Sequence, residues 1–600
     1  MPAVPSTHGG MGAIPYPGGV TFRVWAPHAQ AVSVTGGFAG WDPDAHPLAP
    51  EGDGGHWSAD VPGLRAGEQY KFLIRHDDGV LLRIDPHARH VTSSVGNGIV
   101  YDPTAFDWGP GGFTMPWVDE LLLYEIHVGS FNAGRAGGAG TFAGVVGRLD
   151  HLQELGVTGI ELMPTMEFAT DVSRGYNPSH VFAIESAYGG PDGLKGLVRA
   201  AHEAGLAVLG DVVYNHFGPM DLDLWRFDGW APPGKGGIYF YGDWRSVTPW
   251  GDRPDYGRQE VRDFIADNAR MWLDEFRLDG LRWDMTPWIR NVYGGSDPGA
   301  DLPDGWELMR RVTSDTRRRQ PWKLHIAEDM RGNEWITKDS LWGGAGFHAQ
   351  WDHEFVHTVR GALTAVSDGE RSMGALRRVI EGRFNGDPFQ RVIYTESHDE
   401  VQNGHERLPE EIWPGNADGW HARKRSTLGA ALVLTAPGIP MLFQGQEILE
   451  DSWWREDDPV DWSRAERYPG ILRMYRDLIR LRRNWFDTTR GLRGPSVNVH
   501  HVNDWDKVIA FHRWARGGAR DDVIVVMNFG ARPFARYRIG FPRWGTWRVR
   551  FNGDWAGYSG DFGAQDSYDT FAAGPGCDGM WNAGDVGIGP YAAVILSQDD

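Results

Sequence analysis

Three rhythms of apolar and polar positions follow one another along the chain. The first alternates with period two. Gly19-Val-Thr-Phe-Arg-Val-Trp-Ala-Pro27, Ala31-Val-Ser-Val-Thr35 and Tyr70-Lys-Phe-Leu-Ile-Arg75 have this form, which is that of half-buried strands. Gly36-Gly37 and Gly52-Asp-Gly-Gly55 read as turns between them. Short strands this closely spaced predict a β-sandwich over residues 1–106. Between Ile99 and Val118 the pattern loosens around Pro103, Gly109-Pro-Gly-Gly112 and Pro116, a linker signal.

The second rhythm alternates short apolar strands with helical spacing. Strands are predicted at Leu121–Val128, Gly159–Met163, Ala207–Tyr214, Asp279–Asp284, Leu324–Glu328, Val392–Glu396 and Ile439–Phe443. Helices are predicted at Phe142–Leu155, Leu194–Ala204, Val261–Phe276, Trp306–Arg319, Met373–Gly382, Lys424–Leu434 and Ile471–Arg483. Apolar strands alternating with helices call for a parallel sheet covered on both faces. About eight such units over roughly 370 residues fit a (β/α)8 TIM barrel with long loops, spanning 117–490. An open doubly wound sheet is the alternative, but no glycine-rich phosphate fingerprint follows the first strand. From residue 495 the period returns to two in Val508–Trp514, Val523–Phe529, Thr546–Asn552 and Ala592–Ser597, predicting an all-β domain over 495–600. The fold class expected is therefore multidomain α/β, a catalytic barrel between two β domains.

Composition narrows the partners. The 600 residues carry 59 basic and 80 acidic side chains, a net charge of −21. Such a surface repels phosphate backbones and anionic lipid, so neither nucleic acid nor membrane is an expected partner. The single cysteine, Cys577, permits no internal disulfide. With no basic segment and apolar run at the start, and no apolar run long enough to span a bilayer, a cytoplasmic location is expected. The 29 tryptophans serve packing in the main, though flat aromatic faces also stack on sugar rings.

Active sites of (β/α)8 barrels lie at the C-terminal ends of the strands. Strand three ends in Asp211-Val-Val-Tyr-Asn215-His216, strand four in Leu281-Arg282-Trp-Asp284, strand five in Ile326-Ala-Glu328-Asp329, and strand seven in Glu396-Ser-His398-Asp399. One acidic residue after a strand is usually a helix cap or turn former. Four strands delivering carboxylates, two histidines and an arginine to one face is different. Crowded like charges raise one another's pKa and destabilise the fold, so such a cluster has a chemical purpose. A carboxylate pair with an arginine suits glycosidic bond chemistry, where one group stays ionised and the other donates a proton. Arg282 lies two residues before Asp284, on the same face, and is expected to hold it ionised as nucleophile. Glu328 is then the acid/base, and Asp399 grips sugar hydroxyls and helps keep Glu328 protonated.

These four segments resemble the alpha-amylase family of glycoside hydrolases. The resemblance implies Asp284 as nucleophile, Glu328 as general acid/base and Asp399 as third carboxylate. It implies substrate-binding roles for Arg282, His216 and His398, support from Asp211, and a sugar-stacking Tyr176 in Gly175-Tyr-Asn-Pro178. The family more often has Trp-Gly-Tyr at that point, whereas this chain has Arg174-Gly-Tyr. Phe22-Arg-Val-Trp-Ala-Pro27 with Gly37-Phe-Ala-Gly-Trp41-Asp resembles a family 48 carbohydrate-binding module, in which Trp41 is either a sugar platform or core.

Within the family, Tyr124-Glu-Ile-His-Val-Gly-Ser-Phe131, Pro254–Arg262, Thr395–Glu400 and Tyr537–Pro542 resemble glycogen branching enzymes. Tyr214-Asn-His216 and Ala327-Glu-Asp329 look more like hydrolases, including those acting on maltooligosyltrehalose. The reading is thus a retaining α-glucan enzyme of the 1,4-α-glucan branching type, with hydrolysis of α-1,4-glucan or maltooligosyltrehalose as the alternative; a non-catalytic glycan-binding barrel is the alternative from another class. No cofactor is required. The resemblance implies a structural Ca²⁺ through Asn215, beside the plainer reading that Asn215 bonds its own loop. No Cys/His spacing is read as zinc.

Overall fold

The computed structural model describes residues 4–133 and 139–600. Eight short strands close into a parallel barrel, β1 (Leu123–Ile126), β2 (Gly159–Leu162), β3 (Ala207–Val212), β4 (Gly280–Trp283), β5 (Leu324–Ala327), β6 (Ala349–Trp351), β7 (Arg391–Ile393) and β8 (Ile439–Phe443), with β8 pairing back onto β1. Every residue of these strands is buried, as expected of strands covered on both faces.

One βα unit escapes the sequence pattern altogether. Strand β6 has only three residues, too few to show a period, and its helix His353–Thr364 begins at once after the N-cap Asp352. Two further expectations are corrected. The helix foreseen over Phe142–Leu155 is two, Phe142–Val146 and Leu149–Leu155, because Gly147 caps the first. The strand foreseen over Val392–Glu396 stops at Ile393, so Ser397, His398 and Asp399 sit on the turn beyond β7. An antiparallel hairpin, Met166–Phe168 with Pro178–Ile184, rises between β2 and β3 and carries Tyr176 in its loop.

Ahead of the barrel two antiparallel sheets face each other over an aromatic core in which Phe22 meets Tyr70 edge-on at 5.0 Å. His28 reaches Asp228 of the barrel domain at 2.8 Å, and Trp25 packs edge-on against Tyr239 at 5.5 Å. Trp41 is 41% exposed, which removes it from the core. The proline- and glycine-rich connection is clamped: Lys195 donates to the Pro103 carbonyl at 2.9 Å and Arg277 covers the Trp108 ring at 4.4 Å. After the barrel come a six-stranded antiparallel sheet and a two-stranded one. The helix Trp420–Thr435 is buried on nearly all sides between barrel and C-terminal sheets, where Lys424 meets Asp554 at 2.7 Å. Among the described residues no helix is long and apolar enough to cross a membrane.

Candidate active site

Register builds the centre of the site. Asp211 on β3 and Arg282 on β4 are partners across the parallel ladder, and Asp284 lies two residues beyond Arg282 on the same face. The guanidinium is wholly buried and meets three carboxylates. Nη1 lies 2.6 Å from Asp211 Oδ2 and 3.3 Å from Asp284 Oδ1, and Nη2 lies 2.8 Å from Glu328 Oε2. The Nη2 contact is ionic rather than a hydrogen bond, because the N–H does not point at the oxygen. On β6, the Trp351 ring lies 4.4 Å from the same guanidinium.

The sequence expectation that Arg282 singles out Asp284 needs correction. Its two short contacts go to Asp211 and Glu328. Burial, then repulsion from Glu328, pushes the Asp284 carboxyl well above the usual range, against the pull of Arg282. What bonds Asp284 more closely is Asn215, whose Nδ2 donates to Oδ2 at 2.5 Å. Burial likewise raises Asp211, to about 6, opposed by Arg282 and by the Tyr176 hydroxyl, which donates to it at 2.6 Å. Three carboxylates around one cation leave an excess of negative charge at the centre.

Of the three carboxylates around Arg282, two oxygens are buried and unpartnered among the described residues, Asp211 Oδ1 and Glu328 Oε1. The other Glu328 oxygen accepts from the Met285 backbone N–H at 2.9 Å, which locks the carboxyl beside the residue following Asp284. Buried polar atoms in native proteins are nearly always satisfied, so an orphan in a polar cleft is a place where a ligand atom belongs.

The two site histidines differ in charge. His398 stacks on Tyr176 at 5.0 Å; its Nδ1 lies 2.6 Å from Glu125 and its Nε2 3.3 Å from Asp399. Burial pulls its pKa down, but the Asp399 and Glu125 carboxylates outweigh that and hold it at about 9. His216 is pushed down to about 4 by burial and stays neutral. Asp399 is the most open of the group, 35% exposed at the mouth, where Asn403 reaches it at 3.4 Å. Arg174 donates to Gln402 at 2.6 Å, so a polar bridge stands where the family more often has tryptophan. Asp329, adjacent to Glu328, is turned away and held by both ends of the Arg290 fork.

Sequence reading missed three residues here. Glu125 and Glu161 face each other in register on β1 and β2; Glu125 orients His398, and burial followed by Glu125 raises Glu161 well above the carboxylate range. Each looked like a lone polar position within an apolar strand. Trp351 lies on the undetected β6.

Asn215, the candidate Ca²⁺ ligand, is engaged by its neighbours within the site. Its Nδ2 is committed to Asp284, and its oxygen faces the Nδ1 of His216. Turning the amide would set an oxygen against the Asp284 carboxyl.

Comparison with known proteins places the chain. Residues 10–88 match carbohydrate-binding module 48 (isoamylase N-terminal domain), 125–222 the alpha amylase catalytic domain, and 499–599 the alpha amylase C-terminal all-beta domain. The 1,4-alpha-glucan branching enzyme GlgB of Corynebacterium jeikeium is 32% identical over 577 residues, covering 92% of this chain and 78% of that protein. The chain belongs to the alpha-amylase family. The GlgB of Nitratidesulfovibrio vulgaris (Hildenborough) is 31% identical over 595 residues, covering 90% of this chain and 87% of its own. An alpha-amylase-family barrel with these flanking domains is an enzyme of the glycoside hydrolase and transferase class. Among solved structures, a putative alpha amylase from Salmonella typhimurium superposes with a TM-score of 0.74 at 23% identity, over 98% of this chain and 99% of that one. A pullulanase from Anoxybacillus sp. LM18-11 complexed with maltotetraose gives 0.75 at 21% identity, over 99% and 88%. At these identities the likeness is one of fold.

Proposed function

We propose that the chain cleaves α-1,4-glucosidic bonds by a retaining mechanism and passes the glycosyl chain to a 6-hydroxyl of a second glucan, the branching reaction. The observation that carries the chemistry is the unequal bonding of two neighbouring carboxyls. Asp284 accepts from two side-chain donors, Asn215 and Arg282, whereas Glu328 Oε1 has none among the described residues. In the proposed reaction Glu328 is the acid: a proton delivered from Oε1 meets no protein acceptor among the described residues and goes to the leaving glycosidic oxygen. Asp284 then attacks the anomeric carbon as the bond to the departing chain breaks, and that chain leaves with the proton. Glu328, now ionised, takes the proton of the incoming hydroxyl as its oxygen displaces Asp284 from the sugar.

The other candidates fall into supporting places. Arg282 balances the charge of Asp211, Asp284 and Glu328. The protonated His398, with Asp399, presents a donor and an acceptor to hydroxyls of the reacting ring, and Tyr176 and His216 line the same subsite. Half-exposed Trp250, 5.7 Å from His216, extends an aromatic surface outward. Exposed Trp41 is a candidate platform for a distant part of the glucan.

Transfer rather than hydrolysis is supported by relatives named branching enzymes over nine-tenths of the chain. Hydrolysis of α-1,4-glucan or maltooligosyltrehalose is favoured by the Tyr214-Asn-His216 and Ala327-Glu-Asp329 segments. Proton NMR of amylose incubated with the protein separates them. New α-1,6 anomeric signal without matching growth of reducing ends is the expected result. Reducing ends growing without new linkages would replace branching by hydrolysis.

A further inference from the structure

We propose that His353, His357 and Glu400 form a binding site for one divalent transition-metal ion of the zinc class at the rim of the catalytic cleft. The two histidines open the helix after β6 at i and i+4, in the string His353-Glu354-Phe355-Val356-His357. That spacing puts both rings on one helix face, the arrangement helical zinc sites use. Glu400 arrives from the turn beyond β7, next to Asp399. One donor atom from each of the three lies within 4.8 Å of the others.

The geometry is close to what an ion needs. His353 Nδ1 and His357 Nε2 are 2.9 Å apart. Two imidazole nitrogens on one tetrahedral zinc sit about 3.4 Å apart, at bond lengths of about 2.1 Å. The rings therefore need to separate by only a few tenths of an ångström. The Glu400 side chain is 6% exposed and accepts no hydrogen bond among the described residues; Arg360 lies at 3.6 Å and the His357 Nδ1, on the other side of the ring from the nitrogen facing His353, at 3.8 Å. Arg360 is held elsewhere, by Glu411 at 2.6 Å and by the Thr395 and Glu406 carbonyls. The Glu400 carboxylate thus keeps bonding capacity on the side of the two histidines. Imidazole donors select zinc, copper or nickel over calcium or magnesium.

The site binds an ion without peptidase chemistry. The glutamate of the helical string, Glu354, is exposed and leans toward Arg378 at 4.0 Å, so it cannot orient a metal-bound water. Instead the ion sits beside Asp399, the residue that precedes its Glu400 ligand on the turn beyond β7. A bound ion adds positive charge where the reacting glucan is gripped and slows turnover; this second statement rests on the proposed reaction.

The test uses the full chain, freed of metal and titrated with Co²⁺ under visible absorption, then with Zn²⁺ in equilibrium dialysis. One ion per chain with a ligand-field band is expected. His357→Ala, at a side chain 55% exposed, and Glu400→Gln are each expected to weaken binding at least about tenfold, as loss of one ligand does. No saturable binding, or wild-type affinity in both variants, overturns the site. Zn²⁺ should slow glucan turnover by the wild type and spare His357→Ala. Slowing that persists in a variant that no longer binds overturns the link to the cleft and leaves the binding result standing.

Discussion

Two buried clusters of charge in this chain solve opposite problems. Lys424 and Asp554, at the seam between barrel and C-terminal domain, are both fully buried and pair one to one at 2.7 Å. Asp554 also accepts from the Gln565 backbone at 3.0 Å, and the Lys424 ammonium lies over the Phe562 ring at 4.4 Å. At the barrel rim Arg282 faces three carboxylates, and two of their buried oxygens are left over. The first cluster is closed and joins two domains. The second has surplus charge and unfilled bonding capacity that only something from outside can use. Burial alone therefore does not mark a functional site; the imbalance does.

Substitutions should sharpen that contrast. Asp284→Asn should lower kcat by about 10⁴–10⁶, as removing a nucleophile does. Its melting temperature should hold or rise, because a surplus buried carboxylate is gone. Steady-state kinetics with a thermal scan checks both, and an unchanged kcat would remove Asp284 from the chemistry. Lys424→Met should do the reverse, costing about 3–5 kcal/mol of stability by leaving Asp554 unpaired. Its folded fraction should turn over at the wild-type rate, read by denaturant unfolding beside activity. Glu328→Gln should lower kcat by about 10²–10⁴, with less effect on substrates whose leaving group needs no proton.

The smallest effect expected is on pH. His398 is raised above its ordinary value, so what its charge contributes is complete below about 6.5 and lost as pH rises through about 9. The alkaline limb of kcat/KM should fall near that value, and Glu125→Gln should move it lower, which a pH–rate profile would register.

Much of this was legible beforehand, for physical reasons. Long amphipathic helices and buried β-branched strands carry a period, and polar residues at the ends of apolar strands stand out. The unit at 349–364 did not show, since a three-residue strand has no period and its helix starts without a break. It hid Trp351 under Arg282 and both histidines of the proposed metal site, although the spacing of His353 and His357 was there to be seen. Glu125 was invisible as a site residue because its partner, His398, lies 273 positions away. Likewise, the adjacency of Arg282 and Asp284 was readable, but not that the arginine's short contacts lie on neighbouring strands.

The most direct test of the open cluster is to trap what fills it. Glu328→Gln protein would be treated with a maltosyl fluoride, whose leaving group needs no proton, then digested and analysed by mass spectrometry. The account predicts a glycosyl adduct on the peptide bearing Asp284, formed because the acid/base needed for the second step is missing. An adduct on Asp399 or Asp211 would contradict it, as would prompt release of a product with inverted anomeric configuration and no adduct.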